Sequence, residues 1–164
     1  MDEICGRDVG MGRAIRKLTA PDLGVLAAGL LVGIERELFR RTAEAGFDDL
    51  RPRHGAILAY LDEDGLRLAD LARMSGRNKQ TIAASVDELE SLGYIRRVED
   101  PADRRAKLIV PTERGRQRMR LGDEIIADIE HRHETRLGHT AYARFTQALR
   151  LITANQAPDS DDDG

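Results

Sequence analysis

The side chains best suited to gripping a polyanion fall in one stretch of this sequence. Arg77, Asn78, Lys79, Gln80 and Thr81 are consecutive, Arg96 and Arg97 come next, and Arg104, Arg105 and Lys107 complete the set. Arg and Lys neutralise phosphates, Asn and Gln can pair with a base edge through two hydrogen bonds, and Thr can bond to either. The chain carries a net charge of −3, which by itself does not suggest nucleic acid. The distribution reverses that reading, because Arg73 to Arg120 hold 12 Lys or Arg against 7 Asp or Glu. Each cluster has a plainer account: Asn and Lys are common at any solvated helix start, and arginines keep loops soluble. What raises the pair above that account is the regular structure expected around them.

The apolar residues Ile82, Val86 and Leu89 recur at helical spacing and predict a helix from about Asn78 to Leu92, closed by Gly93. At about 100° per residue, Gln80, Ala84, Asp87 and Ser91 face away from that stripe, with Arg77 and Thr81 on its flanks. The first turn is therefore presented outward, and its free backbone N–H groups add donors for an anion. A two-turn helix from Ala69 to Ser75, with Leu71, Ala72 and Met74, precedes it, and Gly76 marks the break. Helix, short glycine-containing turn, helix is the helix-turn-helix arrangement. Leu66, Arg67 and Leu68 read as a brief strand. Two extended runs, Tyr94 to Val98 and Lys107 to Val110, flank a loop from Glu99 to Arg105 and predict a β-hairpin with a basic tip. An arginine at such a tip profits from the negative potential of a narrow minor groove. Asp103 is expected to hold an arginine extended, so that less side-chain entropy is lost on binding.

Longer helices flank this middle. Pro21 opens one whose apolar positions Leu23, Leu26, Ala27, Leu30, Leu31, Ile34 and Leu38 recur at three and four residues, with Gly46, Asp48 and Asp49 at its end. A second runs from about Pro52 to Asp62 with Ile57, Leu58 and Leu61 inward. Thr112 caps a long helix that passes Ile129 with Met119, Ile125 and Ile126 as further apolar positions. After Gly138 a last helix carries Ala141, Tyr142, Phe145, Leu149 and Ile152. The expected fold is mainly α, a winged helix-turn-helix with a small β-hairpin wing flanked by N- and C-terminal dimerisation helices. Residues 1–19, with Gly6, Gly10 and Gly12, are expected to be irregular, residues 20–157 to form one domain, and 158–164 an acidic disordered tail. Within the domain the winged lobe spans about 52–112 and the dimerisation helices about 21–45 and 113–155.

Other chemistries find little support. Cys5 is the lone cysteine, so no intrachain disulfide can form, and a reducing, cytoplasmic setting fits. His131 and His133 are two apart and point to different helix faces, and His54 and His139 have no ligand-spaced partner, so no metal site is expected. No cofactor is expected, and no nucleophile, base and orienting group cluster as an enzyme requires. The uncharged run Leu23 to Ile34 follows basic residues like the core of a signal peptide, but it is shorter than the ~20 residues of a membrane span. Its helical period continues to Leu38, so a buried helix is expected and no membrane contact.

Leu66 to Gly115 resembles the winged helix-turn-helix of MarR regulators. The resemblance is carried by Val86-Asp87-Glu88-Leu89-Glu90-Ser91-Leu92-Gly93-Tyr94-Ile95, by Asp100-Pro101-Ala102-Asp103-Arg104-Arg105-Ala106-Lys107-Leu108, and by Thr112-Glu113-Arg114-Gly115. The wing signature of Asp, any residue, then Arg falls on Asp103 and Arg105. It implies a homodimer whose recognition helices enter successive major grooves of double-stranded DNA at an approximately palindromic operator. It implies a transcription regulator, most often a repressor, released when a small aromatic or phenolic acid enters a crevice for which Phe39, Phe47, His54 and Tyr60 are candidates. Pro111 stands where the family often has Leu, which implies an altered exit from the wing. Ala84 stands where many members carry Arg, so base reading would lean on Lys79 and Gln80. The wide apolar stripes at both chain ends fit the dimer independently, since each needs cover. The competing reading is a winged-helix module whose basic face binds an acidic protein partner and not DNA; salt-sensitive binding to duplex DNA separates the two.

Overall fold

A computed structural model describes residues 18–155, with the side chain of Arg104 outside that description. Cys5, most of the segment expected to be irregular and the acidic end therefore lie outside the described residues. Leu18 and Thr19, placed in the irregular segment, are helical. The chain divides into two compact units, Met1–Pro52 and Arg53–Gly164.

The first unit is built on α1 (Leu23–Glu44). Asp22 caps it, its carboxylate accepting from the Val25 N–H at 2.9 Å, which satisfies one of the donors left open at a helix start. Thr42 is fully buried and returns its hydroxyl to the Leu38 carbonyl at 2.9 Å. Leu23, Leu26 and Leu31 are each more than half exposed, and Leu30 and Val32 are exposed as well. The stripe expected to be buried is open in the single chain.

The second unit holds α2 (Pro52–Tyr60), β1 (Leu66–Arg67), α3 (Leu68–Ser75), α4 (Lys79–Ser91), β2 (Ile95–Asp100), β3 (Asp103–Pro111), α5 (Glu113–Leu137) and α6 (His139–Asn155). Ile82, Val86 and Leu89 are completely buried, and so are Ile57 and Tyr94. In α3 Leu71 and Ala72 are buried and Met74 is exposed. Gly76 takes the left-handed conformation, with φ of 62°, that ends α3 and turns the chain toward α4. The three strands form an antiparallel sheet in the order β1, β3, β2.

The hairpin is longer than the sequence suggests. Glu99 pairs with Lys107 and Asp100 with Asp103, leaving Pro101 and Ala102 as the turn. The Asp100 carboxylate accepts from the Ala102 N–H at 2.8 Å, the local bond by which Asp nucleates turns, and proline supplies the preset φ. Of the residues read as a loop from their polarity, Glu99, Asp100 and Asp103 are thus paired strand, with a register shift between Glu99 and Asp100. Thr112 caps α5 through the Gly115 N–H. Gly115 is required there: a β-carbon would collide with the Tyr94 carbonyl oxygen, so only glycine lets α5 start against the base of the wing. α6 buries no residue, and Phe145, Leu151 and Ile152 are exposed.

Candidate nucleic-acid interface

The structure places the first turn of α4 in the open. Arg77, Asn78, Lys79, Gln80 and Thr81 are all exposed, as are Ala84, Asp87 and Ser91 further along the same face. Asn78 has a local task, since its side-chain oxygen caps the helix by accepting from the Thr81 N–H at 2.8 Å. Its amide NH2 is the part left to face a ligand. Lys79 lies at the edge of a cleft of about 330 Å³ that is lined also by Arg67, Leu68, Arg97, Ala106, Lys107 and Ile109. The recognition turn and the two wing strands therefore share one basic surface.

The wing residues divide by what holds them. Arg97 reaches back to α4, its guanidinium bonded to Asp87 at 2.5 Å and to Glu90, while its N–H donates to Glu90 at 2.9 Å. It ties the wing to the helix and is spent as a phosphate donor. Arg96, its neighbour, points to the other side of the strand and is exposed. Lys107 faces Glu99 across the hairpin at 3.6 Å and remains more than half exposed. Arg105 is exposed, and among the described residues its guanidinium has no partner. Asp103 acts on Arg105 through the main chain: its carboxylate accepts the Arg105 N–H at 3.0 Å. The expected grip of an aspartate on a guanidinium is replaced by a bond that fixes the backbone from which Arg105 projects. Arg104 lies on β3 between them, and its side chain is outside the described residues.

Ion pairs that the sequence did not announce hold this surface in place. Arg67 on β1 donates to the buried Asp100 carboxylate at 2.7 Å, locking the root of the turn to the sheet. The Ala102 N–H and the Arg67 guanidinium together hold the Asp100 carboxyl below the usual carboxylate range. Further along α4, Arg53 grips Glu88 with two bonds of 2.7 and 2.8 Å, and the buried His54 ring adds a third at 2.7 Å. His54, then Arg53, push the Glu88 carboxyl downward. The signal for Arg97 was present, because strand alternation puts Arg96 and Arg97 on opposite faces and Asp87 and Glu90 are three apart on α4. No comparable spacing announces Arg67 or Arg53, whose partners lie more than thirty residues away.

Of the four effector candidates, His54 is buried against Glu88, Phe39 and Phe47 are half-buried, and Tyr60 is exposed. Among the described residues no helix is long and apolar enough to cross a membrane.

Comparison with known proteins agrees with this geometry. A model of the MarR family matches residues 48–106, which contain the helix-turn-helix and the turn of the wing. The solved transcriptional regulator PA3341 is 30% identical, with 82% of this chain and 98% of that one covered and a TM-score of 0.67. CouR from Rhodococcus jostii RHA1, solved with p-coumaroyl-CoA bound, is 27% identical over 87% of this chain and 96% of its own, with a TM-score of 0.64. The transcriptional regulator HosA of Escherichia coli O111:H- is 25% identical over 105 residues, 64% of this chain and 78% of HosA. With the helix-turn-helix, the wing and full-length relatives in agreement, this chain belongs to the MarR family of transcriptional regulators.

Proposed function

We propose that this protein is a cytoplasmic homodimer that binds double-stranded DNA at an approximately palindromic operator and represses transcription until a small aromatic or phenolic ligand releases it. The observation that carries the DNA part is the row Arg77, Lys79, Gln80 and Thr81, exposed at the start of α4 beside a wing that presents Arg96 and Arg105. Helix α4 is narrow enough for a major groove, and a two-stranded tip with Arg105 suits the adjacent minor groove. In a twofold dimer the two helices read half-sites about 34 Å apart on one face of the duplex. The exposed apolar residues of α1 and α6 supply surface for such a dimer. The ligand part rests on the CouR relative, whose bound p-coumaroyl-CoA is an aromatic acyl thioester.

Fluorescence anisotropy with a duplex selected by the protein from a random pool tests the reading. Binding is expected to weaken steeply as salt rises, because each neutralised phosphate releases a counterion. Absence of any duplex binding at low salt, with an acidic protein captured by the same face, would favour the protein-interaction alternative.

A further inference from the structure

The outward face of α4 carries Gln80, Ala84, Asp87 and Ser91, all of them exposed. Two of the four have their polar groups engaged within the chain. The Asp87 carboxylate takes the Arg97 guanidinium at 2.5 Å, and the Ser91 hydroxyl donates to the Glu88 carbonyl at 2.7 Å. The pairing with Arg97 also offsets a negative charge that would otherwise oppose a phosphate backbone. Lys79 is turned toward the wing, where it lines the cleft shared with Arg97 and Lys107. Two groups on this face are then left for base edges. One is the Gln80 amide, which among the described residues bonds to nothing in the chain, and the other is the Ala84 methyl.

Alanine at an exposed helix position is often no more than a good helix former. Here it stands one turn beyond Gln80, about 40° around the helix and about 6 Å along it, a little under two base-pair steps of about 3.4 Å. A helix laid in a major groove meets base edges at that interval, and a side chain as short as alanine lets the backbone sit close to them. A methyl group makes no hydrogen bond, so the base that gains by meeting it must offer an apolar group of its own. In the major groove that group is the 5-methyl of thymine. We propose that Ala84 is a specificity-determining residue that packs against the 5-methyl group of one thymine in each half-site. The inference rests on the reading of α4 as the helix that enters the major groove, and adds to it the base that the second turn selects.

The test uses the full chain and the duplex it selects from a random pool. Each thymine of the half-site is replaced in turn by deoxyuridine, in both half-sites together, which removes the methyl and keeps every hydrogen-bonding group. One thymine position is expected to respond, with affinity lowered about fourfold per half-site, the worth of one buried methyl-sized group. Ala84→Gly should bind the thymine and uracil duplexes equally at that position. Because glycine weakens a helix, circular dichroism is recorded alongside. If that variant fails to fold, Ala84→Ser decides, its hydroxyl against the methyl being expected to reduce the preference for thymine. Thr81→Ser removes the other methyl at the edge of this face and should leave the preference in place. No responding thymine, a response undiminished in the Ala84 variant that folds, or a response lost in Thr81→Ser overturns the proposal while DNA binding by α4 stands. Absence of duplex binding at low salt overturns both.

Discussion

At the scale of single residues, the structure separates side chains that reach outward from those that hold others in place. Arg105 is exposed at the wing with its main chain fixed by Asp103, so Arg105→Ala should leave the melting temperature unchanged and weaken operator binding. The slope of log affinity against log salt should flatten by about one unit, since one phosphate-equivalent contact is lost. Asp103→Ala should give a smaller loss in the same direction, because the arginine stays but its backbone is less defined. Titration of both variants at several salt concentrations measures this, and unchanged affinity for Arg105→Ala would mean that the wing does not touch DNA. Gln80 sits on the outward face of α4, where a base edge can be read. Gln80→Ala should cost about 1 to 3 kcal/mol on the selected operator and less on random DNA. An equal loss on both would assign Gln80 to the backbone.

At the scale of elements, the question is what sets the angle between α4 and the wing. Arg97 bridges them through Asp87 and Glu90, so Arg97→Ala should lower operator affinity about tenfold, about 1.4 kcal/mol, with Arg96 and Arg105 intact. Retained affinity would show that the sheet alone orients the wing. Gly115→Ala should destabilise by about 1 to 3 kcal/mol, because the added carbon forces α5 away from Tyr94; chemical denaturation checks it. The carboxyls of Asp100 and Glu88 both sit below their usual range in the folded protein. A depressed carboxyl contributes stability that is present above its unfolded value and is lost as pH falls through the folded one. Thermal midpoints should therefore drop as pH is lowered from about 5 toward 3, and Asp100→Asn should flatten that drop while lowering stability at neutral pH.

At the scale of the whole molecule, the exposed apolar residues of α1 and α6 are the largest departure from what a lone soluble chain needs. In the proposed dimer these faces are covered. A chain ending at Gly138 should sediment as monomer or aggregate, and Phe145→Glu in the full chain should shift the equilibrium the same way at micromolar concentration. A stable, soluble dimer from the truncated chain would show that α6 takes no part in association.

The stripe of Ile82, Val86 and Leu89, the glycine at 76 and the cap at Thr112 were sufficient to place the helix-turn-helix and the start of α5, because each acts within a turn or two of its own position. The outward face of α4 followed from the same period, and so did the exposure of Arg77, Lys79 and Gln80. Tertiary structure alone decided which charges are free. Arg67 is held by Asp100, and Glu88 by Arg53 and His54, pairings set by where distant elements cross and not by any local spacing, whereas the hold of α4 on Arg97 had a signal in the alternation of its strand. Folding likewise turned Arg118 inward on a helix whose exposed residues are largely charged, since the face that a helix buries is chosen by its neighbours, and Gly115 had already fixed which side of α5 meets Tyr94.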